Sequence, residues 1–203
     1  MAEATRSLLL VSPSELKKSC WGKKLYLPEI LLSFAFLVNF GLGLLVYLKT
    51  ESHPRINSSF SLLAWSAAGW ALSFFMVYFL KDNAVRLFWG RMGFATSSFI
   101  PASFVIFAFL FPREQRPVNL TKLVLFYLPA LLFFVLSFTG QIVSSLGTGS
   151  TMFNYGPIYL FYSIYITGFI VLGFSLLMKT FQKAVDSRQT ISTRILRFHK
   201  STS

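Results

Sequence analysis

The stretch WGRMGFATSSFIPASFVIFAFLFP, residues 89–112, decides what kind of fold this chain can have. A long apolar run, interrupted only by small polar residues, follows Arg91, carries Pro101 in its middle and closes on Pro112. A bilayer core about 30 Å thick needs roughly 20 mostly apolar residues per helix. Residues 87–111 meet that length, and so do 28–48, 58–80, 119–140 and 157–178. These runs are apolar on all sides rather than striped, so they do not read as amphipathic surface helices. Many of their residues are Phe, Val, Ile and Tyr, which form strands readily in water. In lipid only helices and closed barrels satisfy every backbone group, and the short alternating segments of a barrel are absent here. The expected fold is all-α: a polytopic integral membrane protein built as a bundle of five transmembrane helices.

Composition supports lipid as the solvent. Charged residues make up 13% of the chain and hydrophobic residues 54%, with a mean hydropathy of +0.61. A soluble domain carries about 25% charged residues, so this chain has too few to cover a globule facing water. The net charge of +12 does not point to nucleic acid. That footprint needs cations clustered on one folded face, whereas here they gather between the apolar runs and at the ends. Such placement suits the anionic surface of a bilayer, so the lipid bilayer is the expected partner and nucleic acid is not. The single cysteine, Cys20, cannot form an internal disulfide. The first 24 residues lack a signal-peptide apolar region and cleavage site. The first helix is therefore the expected targeting signal.

The chain divides on this reading into a basic N-terminal tail (1–24), a five-helix membrane domain (25–180) and a basic cytoplasmic tail (181–203). The segment after Met178 holds Lys179, Lys183, Arg188, Arg194, Arg197 and Lys200, while the fourth loop, QIVSSLGTGSTMFNYG, has no charge. The positive-inside rule puts that tail in the cytoplasm and the uncharged loop outside, which makes the N-terminus external in the plasma membrane. Arg6, Lys17, Lys18, Lys23 and Lys24 of the N-terminal tail dissent from that orientation. Within the tail, ISTRILRF is expected to lie on the membrane surface as a short basic helix.

Little in the sequence offers catalysis. His53 and His199 are far apart, and no Cys cluster or carboxylate pair could hold a metal. No Gly-rich phosphate loop follows a strand. No enzyme activity, catalytic residue or cofactor is expected. Glu29 follows Pro28 at the start of the first helix, where a carboxylate meets the positive helix end. Asn39, deep in the same helix, must find a partner, and an interhelical hydrogen bond is expected. Ala64/Ala68 and Gly69/Ser73 space small residues four apart, which lets a neighbouring helix approach closely. Trp65 and Trp70 lie inside the second span, either filling the core or lining a pocket. Trp89 and Arg91 stand where the third helix enters the membrane, as interfacial anchors do. Thr96, Ser97 and Ser98 can bond back to their own helix or across to another. Pro101 removes one helical hydrogen bond and predicts a kink, read either as packing or as a hinge beside a pocket. The candidate hinge and pocket residues are therefore Pro101, Asn39, Trp65, Trp70, Arg91 and Ser97.

Residues from about 30 to 190 resemble the N-terminal seven-transmembrane region of bacterial and archaeal sensor histidine kinases. The resemblance rests on NSSFSLLAWSAAGWALSFFMVYFL in the second helix, FWGRMGFATSSFIPASFVIFAFLFP in the third and the basic segment after the fifth. It implies a sensory input (receiver) module, with the N-terminus outside and a histidine kinase or another signalling protein as partner. It also implies two further spans and a kinase transmitter. RFHKST around His199 lacks the phosphoacceptor pattern, and no ATP-binding glycine boxes occur. The chain is accordingly expected to be a truncated or frame-shifted product, or a stand-alone receiver. A small oligomeric transporter or channel component, working by self-association, and an inactive membrane fragment are the alternative readings.

Overall fold

The computed structural model describes residues 26–49, 54–111, 120–147 and 152–201. Among them are five helical stretches long and apolar enough to cross a membrane. Helix α1 runs Tyr26–Leu48 and α2 runs Pro54–Phe79. The third span is two helices in line, α3 (Asn83–Ser97) and α4 (Phe99–Leu110). Helix α5 runs Leu120–Phe138, a hairpin of β1 (Val143–Leu146) and β2 (Phe153–Tyr155) follows, and α6 runs Tyr159–Ser201. Among the described residues the bundle is all-α apart from that hairpin.

Span three starts earlier than 87. Asp82 caps α3, its carboxylate accepting from the backbone N–H groups of Ala84 at 2.8 Å and Val85 at 3.0 Å, which satisfies donors the first turn leaves free. The basic N-terminal tail lies outside the described residues. The surface helix expected at ISTRILRF is not separate, because α6 continues without interruption to Ser201. At 1.5 Å per residue its 43 residues reach about 64 Å, roughly twice the hydrocarbon thickness.

Small residues set the packing. Gly69 of α2 faces Thr96, and Gly93 of α3 faces Ser73 and Phe74, so the two backbones approach closely. Gly43 of α1 makes room for Trp65 and Ala64. Without a hydrophobic drive between helices in lipid, such close contact is the main source of association. Helices α2 and α6 both pack on α4, and α5 packs on both α3 and α4. The uncharged loop folds back over one end of the bundle as an antiparallel pair, Val143 opposite Tyr155 and Leu146 opposite Phe153, with a bulge at Ser144. Ile142, Val143 and Phe153 are buried by this fold.

Candidate functional site

The site forms where the third span breaks. Pro101 has no N–H, so the Ser97 carbonyl four residues earlier loses its donor, and the helix is interrupted at Ser98 between α3 and α4. Ser98 keeps helical angles (φ −62, ψ −27), so the chain kinks rather than turns. The neighbouring hydroxyls bond back onto the helix: Thr96 Oγ1 to Met92 O at 2.9 Å, Ser97 Oγ to Phe94 O at 3.1 Å and Ser98 Oγ to Ala95 O at 2.7 Å. Ser98 Oγ also reaches Ala130 O of α5 at 2.9 Å.

Two tyrosines of α6 complete the break. Tyr165 Oη donates to Ser98 O at 2.8 Å, and Tyr162 Oη donates to Phe94 O at 2.9 Å while lying 2.6 Å from Ser97 Oγ. Phe133 of α5 stacks on Tyr165 with centroids 4.9 Å apart and meets the Tyr162 ring edge-on at 5.5 Å. Ser103 Oγ and Tyr127 Oη make a further α4–α5 contact at 3.2 Å. Neighbouring helices often stabilise such kinks in membranes; here α6 supplies both phenols, which bond the Phe94 and Ser98 carbonyls on either side of Ser97 rather than the Ser97 carbonyl itself.

Beside the break lies a cavity of about 380 Å³. Its lining brings together three of the residues singled out from sequence, Pro101, Ser97 and Trp70, with Tyr162 as a wall. The other three lie elsewhere. Asn39 does not bond across helices: its Nδ2 donates to Ala35 O of its own helix at 2.8 Å. The carbonyl one turn back is the nearest acceptor an amide side chain on a helix can reach. Trp65 packs at the α1–α2 contact, its ring 5.4 Å from that of Tyr47, and its buried indole N–H has no hydrogen-bond partner among the described residues.

Arg91 is tied to the hairpin. Its Nε donates to Val143 O at 3.2 Å, Nη1 to Phe138 O at 3.4 Å and Nη2 to Ser144 O at 3.1 Å. The guanidinium thus closes the C-terminus of α5, where a cation is favoured, and takes the carbonyl that the bulge releases. Gly140, with φ at +80, follows that helix end beside the guanidinium, an arrangement a side chain would strain.

Tyr162 and Tyr165 escaped the sequence reading. They stand three apart in YLFYSIYITG, which puts both on one face of a helix, and a phenol in hydrocarbon needs an acceptor. That spacing was the available signal.

Residues 31–196 match the family described as the N-terminal 7TM region of histidine kinase. The chain belongs to this family. The match starts one turn into α1 and ends in the final turns of α6, so the break, the cavity and the hairpin all fall within it. A histidine kinase 7TM region is the sensory input part of such kinases rather than a catalytic one. This member is a multi-pass membrane protein whose helices imply the bilayer as its surroundings. Searches of curated proteins and of solved structures gave no match.

Proposed function

We propose that this histidine kinase 7TM region is a receiver whose output is the position of α6. The hairpin lies on the outer side and the far end of α6 in the cytoplasm, where it acts on a kinase transmitter or another signalling protein. The observation that carries this reading is the pair of phenols from α6 that hold the carbonyls at the Pro101 break. A kink stabilised by side chains of a neighbouring helix has two arrangements available, with those bonds made or broken. A stimulus favouring one arrangement shifts the balance by its differential affinity for the two. Because α6 continues unbroken from Tyr159 to Ser201, a change at Tyr162 and Tyr165 is delivered to the other side of the membrane.

The proposed orientation puts hairpin and tail on opposite faces, which thiol labelling tests. With Cys20 replaced by Ser, a Ser145→Cys variant should react with a membrane-impermeant maleimide on intact cells. A Ser201→Cys variant should react only after permeabilisation. Reaction of both from the same side, or in the reverse order, removes the proposed orientation and with it the receiver geometry.

A further inference from the structure

We infer that the cavity beside the break binds an uncharged amphiphile bearing a hydroxyl group, admitted sideways from the bilayer. The volume, about 380 Å³, is in the range of small-molecule sites. Its lining includes Trp70, Ile100, Ile166 and Ile170 and no charged residue. An ionised ligand would find no counter-charge there and would lose its hydration without compensation. An apolar body is met by the isoleucines and the indole.

The polar floor specifies the rest. The Ser97 and Tyr162 hydroxyls have two protons between them. Tyr162 gives its proton to Phe94 O. Ser97 gives its own either to the Tyr162 oxygen or to Phe94 O. With both protons spent, Ser97 Oγ receives none, so the floor offers an acceptor and asks the ligand for a donor. An alcohol meets this requirement at Ser97, which an ether or a ketone does not; the remaining hydroxyls of the lining are those of Tyr159, Thr167 and Ser163, the last donating to Tyr159 O. The entrance follows from packing: α2 and α6 both contact α4 and both line the cavity, and Trp70 on the α2 side is 40% exposed, so the gap opens toward lipid chains. A ligand seated on Ser97 touches Tyr162. That the site receives the stimulus rests on the receiver reading, whereas the site itself rests on the cavity alone.

The test uses the full chain in phosphatidylcholine vesicles and three photoreactive probes with the same diazirine-bearing alkyl chain: an alcohol, its methyl ether and the corresponding fatty acid. The alcohol should label Trp70 and residues 159–170 about fivefold more than either other probe, the factor one net hydrogen bond supplies. Unlabelled alcohol of the same length should compete. Ser97→Ala should reduce the alcohol to the level of the ether, and Ile166→Trp, which fills the cavity, should abolish labelling by all three. Equal labelling by the three probes would mean that the groove holds only lipid tails and would overturn the proposal. So would an alcohol preference that survives Ser97→Ala, or a dominant chain-to-chain crosslink marking the groove as an interface between copies. Specific labelling that leaves α6 unmoved would keep the ligand site and remove the receiver reading; an α6 that responds to mutation without labelling would do the opposite.

Discussion

Replacing Phe153 by Ala should lower the stability of the folded bundle by about 3–5 kcal/mol, the cost of deleting a buried aromatic ring. Phe153 is 3% exposed although it belongs to a two-stranded hairpin between membrane spans. Its ring meets Phe74 and Phe94 edge-on, both at 6.1 Å and 84°, a favoured aromatic geometry. It lies over Gly90, where an added Cβ would come within 2.5 Å of the ring. The side chain therefore plugs a seat built by α2 and α3. Titration from mild detergent into SDS, followed by tryptophan fluorescence, measures the loss. A change below about 1 kcal/mol, as expected of an ordinary surface site, would show that the hairpin does not seal the bundle.

Gly156→Ala should be at least as damaging, above about 4 kcal/mol, a size reserved for specific structural failures. An added Cβ would overlap the backbone of Gln141 and approach Gly140 O. That backbone cannot move aside cheaply. Gly156 N donates to Ile142 O at 2.9 Å and Ile158 N to Gln141 O at 3.1 Å, pinning the base of the hairpin from both sides. The expected signature is loss of amide exchange protection across residues 142–158 together with a low yield of folded protein. Gly168→Ala provides the contrast, since nothing lies within 4 Å of its added Cβ and alanine favours a helix. If both variants behave alike, the close approach at Gly156 is not a constraint.

Much of the architecture could be read before any coordinates, for one reason: lipid turns length into a structural signal. Runs apolar on every side mark where the chain crosses, and five crossings emerged. The break at Pro101 was legible because a missing N–H is a local fact, and the close contacts at Gly69 and Ser73 because small residues invite them. Neighbours were not legible. A helix apolar all round does not state which face meets protein and which meets lipid; the spacing of Tyr162 and Tyr165 marked a polar face on α6, but not the helix it meets or the cavity beside that contact. The hairpin was missed because VSSL and FNY are too short to carry a strand pattern, and their pairing depends on Arg91, more than fifty residues away. Asn39 misled because a polar residue in hydrocarbon needs a partner, and its own helix supplied one. The basic tail was read apart from the fifth span because its composition is that of a cytoplasmic segment, yet α6 carries on through it to Ser201.

That continuity gives the tyrosines their reach. Tyr162 and Tyr165 lie in the first turns of α6, next to the hairpin, and everything beyond them is one rod. Tyr155 and Tyr159 stack at 3.9 Å where the hairpin joins that rod, so hairpin, break and α6 meet within a few residues. The direct measurement is a pulsed electron–electron distance in lipid nanodiscs between spin labels at Lys49, beyond the end of α1, and Met178 on α6, with Cys20 replaced by Ser. If the phenols hold α6 against the break, the unaltered tyrosines should give one narrow distribution, and the double variant Tyr162→Phe/Tyr165→Phe should displace or broaden it by several ångströms. Superimposable distributions would contradict the coupling and leave α6 a span like the others.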